Sequence, residues 1–489
     1  MKSLFNFFRH NNQLVESNEI VDSTSNRLFI PLKVYPYALK YRGKLLTKTE
    51  LDICEEEIKY LLKENFITEI PSIKKIGETY NCSRCENNQL NLFAEIECKL
   101  CFKTHLYCRA CIQMNRVLEC EPLYFWHDQS IIFTEVRQVN YWKGELTKAQ
   151  KQGAAQSIKA LNNQTDKLIW AVTGSGKTEL VFPVITKALD QGMRVCVASP
   201  RTDVVKEFRQ RINPVFKSTS IAALYAGSEE AHDNAQLIVT TNHQLLRFKH
   251  TFDLLIIDEV DAYPYISDDR LKKITQRSRK KIGTTIYLTA TPDKNLQKLP
   301  TVFIPVRYHG NPLIIPQIIY NYQLSKNLSE NKLPKHFNQI LNTRKESKRQ
   351  LLIFVPTIKL SIDLKESITR MLLNNDFIQT TSEVKTVNAS DEDRGEKVKL
   401  FREKKIYCLI TTTILERGVT FPSIDVIVIN ADNPIFNSAA LVQIAGRAGR
   451  SSDDPKGDVY FLINNNTRSI KQCLKDLKFM NILAKEVKL

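Results

Sequence analysis

The sequence predicts an α/β protein whose body is two parallel-sheet lobes in tandem, with a small cysteine-rich module ahead of them. Three observations carry this. Short apolar runs alternate with helical-period segments from Lys167 onward, and polar residues collect where the runs end. One run, Lys167-Leu168-Ile169-Trp170-Ala171, leads into Thr173-Gly174-Ser175-Gly176-Lys177-Thr178, the strand, loop and helix of a phosphate-binding loop. Finally, seven of the 11 cysteines lie between residues 82 and 120, six of them as Cys-x-x-Cys pairs.

A chain of 489 residues has room for two to four domains, at about 100–200 residues per domain. A hydrophobic share of 43% supports sizeable cores, and a formal charge of +17 makes a polyanion the first partner to expect, an anionic membrane surface the second. No apolar run approaches the length of a membrane-spanning helix. The start, Met1-Lys2-Ser3-Leu4-Phe5, is too short in its apolar part for a signal peptide. The expectation is a cytoplasmic protein with reduced thiols, so the cysteine cluster needs another explanation.

Residues 1–75 read as a mainly helical region. Leu28-Phe29-Ile30-Pro31-Leu32 is a β-like patch, and Thr47 to Asn65 has a helical pattern. There Thr47 and Glu50 stand at capping-box positions, and Leu51, Cys54, Ile58, Leu61 and Leu62 form one face, with Cys54 read as core. Residues 76–122 read as a zinc-ribbon-like module. Each Cys-x-x-Cys can grip one side of a tetrahedral ion, and two of them complete a four-cysteine zinc site. The pairs Cys82/Cys85 and Cys108/Cys111 are favoured as the four Zn²⁺ ligands. Cys98/Cys101 is the alternative second pair, or part of another site with His105 or Cys120. A structural zinc in so small a module supplies on the order of 10 kcal/mol of folding energy. Arg84, Arg109 and Arg116 read either as phosphate contacts or as a solvated basic face.

Residues 123–310 form the first lobe. Tyr124-Phe125-Trp126 and Ile131-Ile132-Phe133 read as strands leading into it. Gln150, at the start of a helix, can accept from and donate to an adenine edge at once. In the phosphate loop, Thr173, Gly174, Ser175 and Gly176 supply the cradle, Lys177 reaches the terminal phosphates and the Thr178 hydroxyl sits on Mg²⁺. Ala171 stands where the strict pattern has its first glycine. Strands ending in Pro200-Arg201-Thr202 and Thr240-Thr241 follow. Then Leu254-Leu255-Ile256-Ile257-Asp258-Glu259-Val260-Asp261 delivers carboxylates at a strand's C-terminal end. Asp258 suits a Mg²⁺ ligand and Glu259 a group that polarises the attacking water. Thr289-Ala290-Thr291 closes the series. Between Arg270 and Lys281, seven of twelve residues are basic, which reads first as a solvated helix face.

Residues 311–489 form the second lobe, with strand-then-loop segments at Gln350–Thr357 and Tyr407–Pro422. Gln443-Ile444-Ala445-Gly446-Arg447-Ala448-Gly449-Arg450 places two arginines three apart, where they can reach a γ-phosphate across a cleft. The lobe has no phosphate loop of its own, so it completes the site from outside. Arg201, Thr202, Thr241 and Thr412 at strand ends suit phosphate oxygens of a nucleic acid, bound without base specificity.

The succession of phosphate loop, Pro-Arg-Thr, Thr-Thr, Asp-Glu-Val-Asp, Thr-Ala-Thr and Gln-x-x-Gly-Arg-x-Gly-Arg resembles the superfamily 2 helicase motor of two RecA-like lobes. With the cysteines, Ile112-Gln113-Met114-Asn115-Arg116-Val117, Pro200–Val205, Asp258–Pro264 and Thr411–Thr420, the chain from about 75 to 480 resembles the late competence ComFA family. That resemblance implies an ATPase stimulated by single-stranded DNA that helps drive incoming DNA through the envelope channel. It implies work at the inner face of the cell membrane, ComFC-like and DprA-like partners, and a homo-oligomer among the assemblies to test. It gives Lys177 and Thr178 to ATP and Mg²⁺, Asp258 and Glu259 to hydrolysis, and Gln443 to placing the water or γ-phosphate. Arg447 and Arg450 are the fingers, and Gly418 counts among the nucleotide-binding residues. Two departures stand out: Cys98 and Cys101 exceed a four-cysteine pattern, and Thr420 replaces an acidic residue near the ribose. The rival readings are a PriA-type replication-restart helicase, an RNA remodeller and a non-catalytic zinc-dependent DNA-binding scaffold. PriA-type cysteines interrupt the second lobe, whereas these precede the first. No base-stacking module points to RNA, and a scaffold has no use for Lys177, Asp258, Glu259 and Arg450 together.

Overall fold

The computed structural model describes residues 34–127, 140–229, 235–347 and 349–488. The β-like segments at 28–32 and 131–133 lie outside them.

The N-terminal unit is α+β rather than mainly helical. It contains β1 (Leu45–Thr47), β2 (Ile67–Ile70), β3 (Ile73–Ile76), β4 (Thr79–Cys82), β5 (Phe93–Glu97), β6 (Thr104–Cys108) and β7 (Leu123–Trp126). The segment Thr47 to Asn65 is two helices, not one. Thr47 and Glu50 cap a single 3-10 turn, Lys48–Glu50. A second box at Cys54 and Glu57 starts the helix Glu55–Lys63, whose first turn holds Glu55, Glu56 and Glu57, where the helix dipole favours negative charge. Cys54 is therefore an exposed cap rather than core.

Strand β7 is central in the sheet β1-β7-β2, antiparallel to both neighbours. It belongs with the N-terminal unit, not with the first lobe as its sequence position suggested. Its Tyr124 and Trp126 are buried with Tyr41, Leu46, Ile58, Leu61 and Ile67. The hairpins β3–β4 and β5–β6 carry the cysteines beside this sheet.

The first lobe has β8 (Lys167–Ala171), β9 (Val195–Ser199), β10 (Ile221–Leu224), β11 (Leu237–Thr241), β12 (Phe252–Asp258), β13 (Arg279–Thr289) and β14 (Thr301–Ile304). They form a parallel seven-stranded sheet, order β10-β11-β9-β12-β13-β8-β14. The second lobe has β15 (Gln317–Tyr320), β16 (Gln350–Phe354), β17 (Val384–Val387), β18 (Cys408–Thr411), β19 (Ile424–Ile429) and β20 (Val459–Ile463). These give a parallel six-stranded sheet, order β15-β20-β19-β16-β18-β17. Helices cover both faces, which is why the strands read as unbroken apolar runs. The C-terminal helix Arg468–Lys488 reaches back to the first lobe, where Phe479 packs against Trp170 and Phe303 with ring centroids 5.9 and 5.8 Å away.

The basic run at 270–281 is only partly a solvated face. Arg277 is half-buried and donates to the carbonyls of Ser83 and Arg84 at 3.0 and 2.5 Å and of Leu246 at 3.0 Å. It ties the first cysteine turn to the lobe. Arg84 is also buried, paired with Glu50 at 2.7 Å, and so is neither a phosphate contact nor a solvated charge. Arg109 is exposed, and Arg116 lies 5.4 Å from the Tyr107 ring. Replacing Arg277 by Met keeps the volume but strands these carbonyls. Thermal unfolding is expected to show a loss of roughly 3 kcal/mol, with nucleotide affinity unchanged.

Candidate active site and metal centre

The loop after β8 needs left-handed backbone at Gly174 (φ 77°) and Gly176 (φ 73°). A side chain at Gly176 would also collide with Gln150. Gln150 is buried beneath the loop and its amide is consumed there. Nε2 donates to the carbonyls of Ser175 (2.8 Å) and Gly176 (3.2 Å), while Oε1 accepts from Thr147 N at 2.8 Å. In this structure Gln150 braces the loop and does not line the cavity.

The cavity beside the loop measures about 500 Å³ and lies between the lobes. Thr173, Gly174, Ser175, Gly176, Lys177, Thr178, Asp258, Glu259 and Asp261 line it from the first lobe; Arg417, Gly418, Thr420, Gln443 and Arg450 line it from the second. Lys177 Nζ sits 3.4 Å from the carbonyls of Ala171 and Val172, and the Thr178 hydroxyl accepts from Arg211 at 3.2 Å. Burial, then the Glu259 charge, pushes the Asp258 carboxyl up to about 6, with Lys177 opposing. Asp258 and Thr178 are hard oxygen donors of the kind a divalent cation such as Mg²⁺ takes. Glu259 adopts φ 54°, a conformation uncommon outside glycine and concentrated at functional sites. Its Oε2 is buried with no hydrogen-bond partner among the described residues.

Two residues the sequence reading passed over hold the lobes together. Arg417 donates to Asp261 at 2.7 and 3.2 Å, and lies 3.8 Å from Glu259. Asp261 also accepts from Thr291 and, at 3.5 Å, from Gln443. Asp261 lies within Asp258–Pro264 and Arg417 within Thr411–Thr420, and the signal in the sequence is a third acid after Asp-Glu with no role of its own. Gly446 lies so close to Thr173 that a Cβ there would clash with it, which accounts for the glycine. The paired arginines separate. Arg450 lines the cavity and donates to the Val419 carbonyl at 3.2 Å, whereas Arg447 stands behind it, with Nε on the Glu416 carbonyl at 3.0 Å.

A second groove between the lobes, about 660 Å³, is lined by Arg201, Thr202, Lys206, Tyr263, Arg394 and Thr412 among others. Three of the four residues expected to hold phosphates meet there. Thr241 does not line it and is buried at the end of β11.

The four thiols of Cys82, Cys85, Cys108 and Cys111 are buried and lie within 4.8 Å of one another. Cys82–Cys111 and Cys85–Cys108 are 3.8 and 3.5 Å apart, against about 3.8 Å for the edge of a tetrahedron with Zn–S bonds of about 2.3 Å. Such a set of soft donors can hold a metal, and suits Zn²⁺. The turn under the first pair is fixed by Glu86 N to Cys82 O (2.8 Å) and Cys82 N to Asn87 O (3.0 Å), with Glu86 at φ 57°.

Residues 36–125 match the family described as Competence protein ComFA N-terminal domain, residues 143–294 match Type III restriction enzyme, res subunit, and residues 332–452 match Helicase conserved C-terminal domain. Competence protein ComFA of Bacillus subtilis (strain 168) is 39% identical over 452 residues, covering 91% of this chain and 95% of that protein. This chain belongs to the ComFA family. Competence protein ComFA of Streptococcus pneumoniae (strain ATCC BAA-255 / R6) is 36% identical over 449 residues, 91% of this chain and 98% of that one.

Solved structures similar to this ComFA family chain include the DEAD-box helicase Mss116 bound to ssRNA and UDP-BeF. It has a TM-score of 0.49 at 16% identity, over 70% of this chain and 83% of that chain. Mycobacterium smegmatis helicase Lhr bound to ssDNA and AMP-PNP has 0.47 at 15%, over 69% and 50%. By its own sheets and cleft, the ComFA family chain has two RecA-like lobes, a helicase-like motor fold with a nucleotide-binding cleft, and a cysteine cluster that can hold a metal. Among the described residues no helix is long and apolar enough to cross a membrane.

Proposed function

We propose that this protein hydrolyses ATP to move single-stranded DNA during DNA uptake in natural transformation. The observation that carries the reading is the shared cleft, with Lys177, Asp258 and Glu259 on one wall and Gln443 and Arg450 on the other, in a chain of the ComFA family. Lys177 and the loop amides hold the terminal phosphates, and Asp258 and Thr178 would hold Mg²⁺, which supplies charge neutralisation when bound. Glu259 takes a proton from the attacking water; its Oε2, without a hydrogen-bond partner among the described residues, is available for that. Gln443 positions the water or γ-phosphate, Arg450 stabilises the charge that develops, and Arg447 supports it from behind. Gly418 leaves room against Asp203 where the second lobe meets the first.

Single-stranded DNA would run through the groove at Arg201, Lys206 and Arg394, held by its phosphates, with the exposed Tyr263 as a stacking face. Cys82, Cys85, Cys108 and Cys111 would hold structural Zn²⁺. The working units are the N-terminal region, the cysteine module and two motor lobes meeting near residue 310. The setting is cytoplasmic, peripheral at the inner face of the membrane by the DNA channel, with ComFC-like and DprA-like partners and a homo-oligomer as the assemblies to test.

The test measures ATP hydrolysis by the full chain with single-stranded DNA, duplex DNA and RNA across a salt series. Single-stranded DNA is expected to stimulate most, with binding falling steeply with salt, by a slope of about −0.7 per phosphate contacted. Glu259→Gln is expected to lower turnover by about 10²–10⁴-fold; retained hydrolysis would remove the site assignment, and a preference for RNA would overturn the cargo.

A further inference from the structure

The three cysteines that the first centre leaves over come together on their own. Cys98, Cys101 and Cys120 have thiols within 4.8 Å of one another, and none belongs to the buried set of four. His105 stands beside one of them, its Nε2 3.2 Å from Cys101 Sγ, although it lies outside the 4.8 Å set that the three thiols form. The other ring nitrogen, Nδ1, lies 3.9 Å from Glu119 Oε2. A carboxylate behind the ring is the usual device for fixing a ligating histidine's tautomer and orientation.

The backbone supplies an independent observation. Phe102 N donates to Cys98 O at 2.8 Å, Cys98 N donates to Lys103 O at 2.9 Å, and Phe102 adopts φ 54°. The turn at Cys82 has the same two bonds at 2.8 and 3.0 Å and the same left-handed residue, Glu86 at φ 57°. Two sequences with nothing in common but Cys-x-x-Cys fold into one turn, the turn that points both thiols and several amide N–H groups at a common centre.

We propose that Cys98, Cys101, His105 and Cys120 form a second tetrahedral site for Zn²⁺, so that the N-terminal unit carries two ions rather than one. The spacing follows from the hairpin. Cys98 directly follows β5, His105 is the second residue of β6, and the bridge Tyr107↔Leu118 brings Cys120 alongside. The hairpin also lacks other support at its tip, where Leu100 and Phe102 are 76% and 78% exposed. A two-stranded hairpin is marginal in water without such support, and a metal clip supplies it.

The experiment is elemental analysis of the full chain purified under reducing conditions, with Cys101→Ser and Cys120→Ser beside it. Two zinc ions per chain are expected in the unchanged protein and one in either variant, with folding checked by an unaltered far-UV circular dichroism spectrum. In Co²⁺-loaded protein, His105→Gln is expected to alter the visible bands of the three-sulfur, one-nitrogen site and leave those of the four-sulfur site in place. One zinc per chain that survives in Cys101→Ser overturns this proposal and leaves the four-cysteine centre standing. Two ions retained in Cys120→Ser, or cobalt bands unmoved in His105→Gln, also overturn it.

Discussion

Replacing Arg450 by Ala is expected to lower the turnover number of DNA-stimulated ATP hydrolysis by about 10³-fold or more, with little change in ATP affinity. Arg450 lies in the cavity wall opposite Lys177, on the lobe that has no phosphate loop. Its hydrogen-bonded anchor is the Val419 carbonyl at 3.2 Å, and the rest of its planar fork can meet charge that develops on a transferring phosphoryl group. Burial pushes its pKa down from the ordinary arginine range, with Glu207 and Glu259 opposing, and arginine keeps its proton regardless. A charge held in a low-dielectric cleft is worth more to a transition state than one in water. Lysine lacks the fork, so Arg450→Lys is expected to rescue little. Single-turnover hydrolysis alongside nucleotide binding separates the two quantities. A variant that loses affinity and keeps its rate would make Arg450 a binding group only.

The parts of this molecule that could be read in the sequence are those whose chemistry is local. β8 with its loop, and β12 delivering Asp258 and Glu259, are each one stretch whose residues do the work where they stand. Parallel strands buried on both faces also announce themselves as apolar runs. What could not be read depends on which distant surface a residue meets. Trp126 sits beside a first-lobe sequence yet is buried against Tyr41, because an antiparallel strand pairs by position in space. Arg84 and Arg277 look like surface charge until Glu50 and four backbone carbonyls are placed around them. Gln150 has the donor and acceptor an adenine edge needs, and spends the donor on the loop and the acceptor on Thr147 at the start of its own helix.

The Asp261–Arg417 pair shows the same limit at its most consequential, since 156 residues separate two side chains exposed by 1% and 2%. Burial alone would raise the Asp261 carboxyl, but the Arg417 charge outweighs it and brings it to about 2. A carboxylate whose folded pKa is depressed contributes its stability above the unfolded value and loses it only as pH falls toward the folded one. The clasp is therefore constant from about pH 5 upward. Arg417→Ala leaves Asp261 buried and uncompensated, at a cost of about 3–5 kcal/mol. Asp261 also holds Thr291 of the first lobe and Gln443 of the second, so the loss falls on the seam between lobes. The expected result is a variant that still binds ATP through the loop but no longer couples hydrolysis to DNA. Asp261→Asn combined with Arg417→Ala is expected to recover part of the stability, because no charge is left stranded. A double-mutant cycle on thermal unfolding reads this directly. Strictly additive losses in that cycle would show that the two side chains do not act as a pair.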